Sequence, residues 1–255
     1  MFIIAGPCLL ESKELIEEVA EKLSELSKKY NFKLYLKASY KKANRTSLNS
    51  FTGIGDELAL QYLSETAKKH NLKCLTDVHT VEEIHLASNY VDVLQIPAFL
   101  ARQTELLIAA GETGKIVNIK KGQFMAGKDM LKAAEKVAST GNKNIWLCER
   151  GTFFGYGDLV VDMRNLMIMK QSGYPVVYDA THSVQQPSIS EVSGGQREFA
   201  LGLAKAATAI GIDGIFLETH PDPKNAKSDA ATQIKLDEVE DFIASVLKIN
   251  EVNKN

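Results

Sequence analysis

Short apolar runs in this chain end, again and again, in residues that can do chemistry. In order they are Cys8; Lys37 and Ser39; Asp77 and His79; Gln95; Lys120 and Lys121; Glu149 and Arg150; Asp179 and His182; Glu218 and His220. Cys8, His182, Glu218 and Asp229 together offer one thiolate, one imidazole and two carboxylates. Such a mixed donor set suits a borderline divalent ion such as Zn2+, Fe2+ or Mn2+. The four lie far apart in sequence, and singly each also suits a plainer role, Cys8 as a small buried hydrophobe and the others as hydrogen-bonding groups. Lys37, Lys42, Arg45, Lys120 and Arg150 offer charge-assisted bonds to phosphate and carboxylate. A lone lysine is ordinarily solvated, which suits Lys41 and the helix lysines, but cations set at several strand ends point to an anionic, phosphorylated substrate beside a metal ion.

The elements that must position these residues alternate regularly. Strands are predicted at Phe2 to Ala5, Phe32 to Ala38, Lys73 to Thr76, Val93 to Ile96, Ile116 to Ile119, Ile145 to Cys148, Val176 to Tyr178 and Gly214 to Leu217. Helical patterns lie between them, with Leu15, Ile16, Val19, Leu23 and Leu26 on the first. The others run over Leu58 to His70, Val81 to Ser88, Thr104 to Ala110, Met130 to Ser139, Val161 to Lys170, Arg197 to Ile210 and Leu236 to Leu247. Eight strand-helix units, with no G-x-G-x-x-G turn or P-loop, predict an α/β chain folded as one (β/α)8 TIM barrel over residues 1–255. In such a barrel the C-terminal strand ends form the active rim. Alternation cannot turn both Lys120 and Lys121 inward, and Lys120 is the inward choice. His79 and His220 read as rim hydrogen-bonders, with His220 a possible substitute ligand, while Trp146 reads as packing.

Composition narrows the function further. A net charge of -2 argues against nucleic-acid binding. No apolar run approaches a membrane span, and the first residues lack the layout of a secretory signal. With three unpaired-looking cysteines, Cys8, Cys74 and Cys148, the expected setting is the reducing cytoplasm, with no membrane partner.

Six ordered motifs carry a resemblance along nearly the whole chain. They are Ala5-Gly6-Pro7-Cys8, Lys42-Ala43-Asn44-Arg45, Gln95-Ile96-Pro97-Ala98-Phe99-Leu100, Asn118-Ile119-Lys120-Lys121-Gly122-Gln123-Phe124, Asp179-Ala180-Thr181-His182-Ser183 and Glu218-Thr219-His220-Pro221. Together they resemble the 3-deoxy-D-manno-octulosonate 8-phosphate synthases, also called 2-dehydro-3-deoxyphosphooctonate aldolases. That family condenses phosphoenolpyruvate with D-arabinose 5-phosphate and releases phosphate, on the route to the inner sugar of lipopolysaccharide. Its metal-dependent members carry a cysteine after Ala-Gly-Pro, as Cys8 does here, and the Ser228-Asp229-Ala230-Ala231-Thr232-Gln233 segment agrees with that class.

The resemblance implies Cys8, His182, Glu218 and Asp229 as metal ligands, with Cys8, His182, Asp229 and Lys120 closest to the chemistry. It implies Lys37, Lys42, Lys120 and Arg150, helped by the backbone at Ala98, for phosphoenolpyruvate. Asn44, Arg45 and Thr46 would hold arabinose 5-phosphate, and Arg102 would serve the site of a neighbouring subunit in a homotetramer. Asp77, Gln95 and Gln185 are further polar candidates. Lys41 departs from a common Asp, Thr52 from a common Arg and Asp158 from a frequent Asn. Three other readings compete: the sibling 3-deoxy-D-arabino-heptulosonate 7-phosphate synthase acting on erythrose 4-phosphate, a Schiff-base aldolase with Lys120 as nucleophile, and a phosphosugar-binding barrel without activity. The sibling generally has Lys-Pro-Arg-Thr where this chain has Lys42-Ala43-Asn44-Arg45.

Overall fold

The computed structural model describes residues 1–43, 51–153, 157–186 and 194–253. Eight strands, β1 (Phe2–Gly6), β2 (Lys33–Lys37), β3 (Lys73–Asp77), β4 (Val93–Ile96), β5 (Ile116–Lys120), β6 (Ile145–Glu149), β7 (Val176–Asp179) and β8 (Gly214–His220), each pair in parallel with the next. β8 also pairs with β1, from Phe2 beside Gly214 to Gly6 beside Glu218, so the ring closes. Between and after the strands run α1 (Lys13–Tyr30), α2 (Asp56–Lys69), α3 (Val81–Ala87), α4 (Thr104–Glu112), α5 (Asp129–Ala138), α6 (Met163–Lys170), α7 (Ala200–Ala209) and α8 (Val239–Val252). This is the (β/α)8 barrel that the alternation predicts. No helix among the described residues is long and apolar enough to cross a membrane.

Local sequence explains the elements and their limits. On α1, Ile16, Val19, Ala20, Leu23 and Leu26 recur at three- and four-residue steps and are buried. Ser12 caps that helix by accepting a bond from the Leu15 N–H at 3.2 Å, and Asn31 ends it in the left-handed conformation at φ 52°. The helix expected from Val161 starts two residues later, because the Asp162 carboxylate accepts from the Arg164 N–H at 3.0 Å and fixes the start there. The helices expected from Arg197 and Leu236 each open with a 3-10 turn, Arg197–Phe199 and Leu236–Glu238. The apolar period runs through both turns, so the pattern does not mark the change. Two short antiparallel pairings were not anticipated: Thr152–Phe153 with Leu159–Val160, and Gln185–Gln186 with Gly194–Gly195. They are too short to show alternation. A further short strand, Ile234–Lys235, extends the sheet beyond the end of β8.

Alternation stacks the barrel interior in tiers. At the floor, Trp146 packs against Phe2 and Tyr35 with ring centroids 4.5 and 4.9 Å apart. Gly214 makes room for this cluster, since a Cβ there would lie 2.5 Å from the Phe2 ring. Above the floor sit Ile4, Leu75, Val93, Cys148, Val177 and Phe216. Asp77, Gln95, Asp179 and Glu218 follow this tier by two residues on their strands, and with Lys37 and Lys120 they form a charged and polar layer, all buried. The interior thus passes from aromatic to aliphatic to charged as the strands run toward their C-terminal ends.

Trp146→Ala should cost about 3 to 5 kcal/mol, because it removes a ring held between two others and the closed strands cannot collapse into the gap. Urea denaturation measures this. A loss below about 1 kcal/mol would contradict a packed floor.

Candidate active site

The turn after β1 delivers the first donor. A Cβ on Gly6 would lie 1.9 Å from the Lys37 carbonyl oxygen, so only glycine lets β1 finish against β2 before Pro7 and Cys8. Cys8 is buried, and its Sγ lies 3.1 Å from Ser228 Oγ and 3.2 Å from Asp229 Oδ2. Asp229 adopts a left-handed φ of 45°, which Asp tolerates better than most residues. Gln233 ties these two segments together. Its Oε1 accepts from the Cys8 N–H at 3.1 Å, and its Nε2 donates to the Ser228 carbonyl at 2.8 Å.

Cys8, Glu218 and Asp229 place one ligand atom each within 4.8 Å of one another. His182 Nε2 lies 3.6 Å from Glu218 Oε1 and 3.7 Å from Asp229 Oδ2. The imidazole is aimed by Asp179, whose carboxylate lies 2.9 Å from His182 Nδ1 and accepts the His182 backbone N–H at 2.9 Å. A carboxylate on one ring nitrogen with the other facing a donor set is the usual arrangement behind a metal-bound histidine. Burial pushes the Cys8 thiol well up, and Asp229 and Glu218 push it further. A cation among them would reverse that balance. Glu218 Oε2 is buried with no hydrogen-bond partner among the described residues. Donor types, spacing and this unused acceptor all fit a divalent ion.

Cations surround the same group. Lys37 is ion-paired with Glu218 Oε1 and donates to the Cys8 carbonyl at 2.9 Å. Lys120 is ion-paired with Asp179, its ammonium 3.3 Å from the Phe216 ring centroid. Lys121 leaves the strand on the other side and is spent on structure, meeting the Gly151 and Met125 carbonyls at 3.1 Å and Glu149 at 3.4 Å. Arg150 donates through Nη2 to Gln185 Oε1 at 2.8 Å, and its buried Nη1 has no partner among the described residues. Burial opposes the charge of Lys42, but Cys8, Asp77, Glu218 and Asp229 together raise its pKa. The same lysines, with His182, act on the carboxylates. Burial disfavours ionised Glu218 and Asp229, yet Lys37, His182 and Lys42 hold Glu218 below the ordinary carboxylate range, and His182, Lys42 and the Cys8 hydrogen bond do so for Asp229.

The Ala98 carbonyl approaches this rim at Gly122, where a Cβ would lie 3.1 Å from it. Arg102 does not join the cluster. It is exposed and lines a surface groove of about 350 Å³ with Phe124, Asp129 and Lys136. Asn44, Arg45 and Thr46 lie outside the described residues. In the sequence Asp179 is marked only as a strand-end carboxylate, and its three-residue step to His182 is the signal of its role. Nothing in the spacing of Ser228 or Gln233 shows that they reach Cys8.

A second ionic network flanks the rim. Glu83, in the first turn of α3, accepts from the His79 N–H at 2.8 Å and lies 2.9 Å from His79 Nδ1, while His79 Nε2 is 3.4 Å from Asp77. Its other oxygen is 3.0 Å from Lys41 Nζ. Burial works against its charge, but Tyr40, Lys41 and His79 pull Glu83 down to about 2. An unfolded Glu titrates near 4.3, so the stabilisation is complete above that value and is lost as pH falls from about 5 toward 2. His79 stays protonated over that range, since Asp77 and Glu83 raise its pKa against burial. Glu83→Gln should therefore be less stable than wild type by up to about 3 kcal/mol at pH 6, with the gap closing toward pH 2. Denaturation across pH measures this, and a gap independent of pH would contradict the assignment.

Residues 1–254 match the DAHP synthetase I family. The chain is 51% identical over 255 residues to the 2-dehydro-3-deoxyphosphooctonate aldolase of Koribacter versatilis, covering 98% of this chain and 91% of that one. It is 49% identical over 254 residues to the protein of that name from Bartonella bacilliformis, covering 99% and 90%. The like-named protein of Pelobacter propionicus is 48% identical over 253 residues, covering 99% and 93%. The charged rim and the whole-length match agree: this chain belongs to the DAHP synthetase I family, among its 2-dehydro-3-deoxyphosphooctonate aldolases.

Proposed function

We propose that this protein condenses phosphoenolpyruvate with D-arabinose 5-phosphate and water to give 3-deoxy-D-manno-octulosonate 8-phosphate and inorganic phosphate, for the inner core of lipopolysaccharide. The observation that carries the reading is a single buried rim where Cys8, His182, Glu218 and Asp229 stand among Lys37, Lys42, Lys120 and Arg150. Carbon 3 of phosphoenolpyruvate bonds to the sugar aldehyde carbon, a water oxygen bonds to carbon 2, and the bond from carbon 2 to the bridging oxygen breaks with its electron pair leaving on phosphate; the two water protons go to the former aldehyde oxygen and to the departing phosphate.

Lys37, Lys42, Lys120 and Arg150 hold phosphoenolpyruvate. The unpartnered Arg150 Nη1 and the buried ammonium groups give its phosphate and carboxylate a dry, charge-matched cradle. Fixing that substrate brings carbon 3 into line for attack, so positioning does much of the work. Lys120 lies nearest the change in charge at carbon 2, with Asp179 holding its ammonium in place. The backbone at Ala98 completes this end of the pocket. Asn44, Arg45 and Thr46 hold the sugar phosphate, and Arg102 of a neighbouring subunit reaches the same phosphate within a homotetramer. The exposed position of Arg102, away from the ligand cluster of its own chain, supports that sharing.

Cys8, His182, Glu218 and Asp229 hold a divalent ion, Zn2+, Fe2+ or Mn2+, which when bound supplies Lewis-acid polarisation of a substrate oxygen. His182 and Asp229 keep their hydrogen-bonded orientations through Asp179 and the Cys8 segment. The protein works in the cytoplasm, where its phosphorylated substrates are made.

Phosphate release from phosphoenolpyruvate plus arabinose 5-phosphate tests the proposal. Activity should vanish on chelation and return with a divalent ion. Turnover that survives verified metal removal would leave the reaction and overturn the metal assignment, while turnover only with erythrose 4-phosphate would move the chain to the sibling activity. Cys8→Ser should weaken metal binding by about 100-fold or more, since even residues behind the ligands are worth 10- to 100-fold. Metal content after dialysis measures that loss, and undiminished content would remove Cys8 from the ligand set.

A further inference from the structure

Lys41 and Lys42 are adjacent, yet their surroundings are opposite. Lys42 is half-buried and feels the charge of Cys8, Asp77, Glu218 and Asp229 on the rim. Lys41 reaches outward, its ammonium 3.2 Å from Asp56 Oδ2 at the start of α2 and 3.0 Å from Glu83 Oε1 in the first turn of α3. The two residues are consecutive in a segment with neither helix nor strand, so fixing the Lys41 side chain restricts the backbone from which Lys42 projects.

The outer anchor is itself rigid. Glu83 is held by two bonds from His79, and α3 is capped at that end by Thr80, whose hydroxyl accepts the Glu83 N–H at 3.2 Å. The loop has little slack on its inner side. The Lys42 N–H donates to the Thr52 carbonyl at 2.9 Å, and a Cβ on Gly53 would lie 2.7 Å from the Tyr40 carbonyl oxygen. The segment from Tyr40 to Lys42 is therefore fixed by backbone contacts on one side and two ion pairs on the other.

We propose that Lys41 is a positioning residue for phosphoenolpyruvate: its ion pairs with Asp56 and Glu83 hold the chain so that the Lys42 ammonium points into the pocket. The role is separate from the sugar phosphate, and it rests on the reading of Lys42 as a phosphoenolpyruvate ligand given above. It also accounts for a lysine at position 41. An acidic residue there would face Asp56 and Glu83, two carboxylates placed to receive a cation.

Binding of phosphoenolpyruvate to the metal-loaded protein, measured by titration calorimetry, tests this, with thermal unfolding as the control for structure. Lys41→Met keeps the stem and removes the charge. It should raise the dissociation constant about 3- to 10-fold, the range expected from losing partly exposed ion pairs, with a fall in melting temperature of only about 2 to 4 °C, since His79 still holds Glu83. Lys41→Arg should restore most of the affinity, and Lys41→Asp should lose more than Lys41→Met. In a Lys42→Met background, Lys41→Met should add nothing further, because its effect runs through Lys42. Wild-type affinity in Lys41→Met would overturn the inference, as would a full additional loss in the Lys42→Met background or a loss that follows melting temperature and is not restored by Arg. If the wild-type protein itself does not bind phosphoenolpyruvate, the functional reading falls and takes this inference with it.

Discussion

Everything at the active end of this barrel depends on one electrostatic constraint: charges are placed where water is scarce, so each must be met by another. Lys37 with Glu218, Lys120 with Asp179, and Lys121 with Glu149 are pairs whose members are all nearly or fully buried. Removing one partner from such a pair typically costs about 3 to 5 kcal/mol, because the survivor keeps its desolvation penalty without its counter-charge. The pairs are weak sources of net stability but strong sources of geometry. Each ammonium is held at a point by the carboxylate it faces. The contrast between Lys120 and Lys121 shows how finely this works, since two neighbours of one type divide into a group facing the barrel interior and one spent on loop carbonyls.

The tiers beneath supply the rigidity. Phe2, Tyr35 and Trp146 fill the floor, Phe216 and the aliphatic tier lie above them, and the charged tier stands nearer the C-terminal ends of the strands. A side chain at the charged tier inherits its position from a closed ladder of backbone bonds and from a packed layer directly below. Phe216 contributes twice, filling the core and offering its ring face to Lys120. A site built on strand ends in this way needs less help from its loops.

The barrel was legible in the sequence because its signals are local: an apolar run, a polar end, a helical period, repeated along the chain. The two helices that open in 3-10 turns, at Arg197 and Leu236, were misread at their starts because apolar periodicity does not distinguish the two helix types. The site was legible in residue type, since lysines and carboxylates at strand ends have few structural excuses. Its wiring was not. That Asp179 serves both Lys120 and His182, that Gln233 bridges Cys8 and Ser228, and that Lys41 meets two helices are facts of distance across the fold. Sequence separations as large as 225 residues, between Cys8 and Gln233, leave no periodic trace.

The wiring also joins the two chemistries. Glu218 is shared between Lys37 and the ligand group, and Asp179 between Lys120 and His182. A shared carboxylate makes the positions of its two partners interdependent: a shift of the Lys37 ammonium moves Glu218 relative to His182, and a shift of the Lys120 ammonium moves Asp179, which aims the same imidazole. A rim of isolated charges, each neutralised by its own private partner, would lack this coupling; it arises because two carboxylates each serve two neighbours.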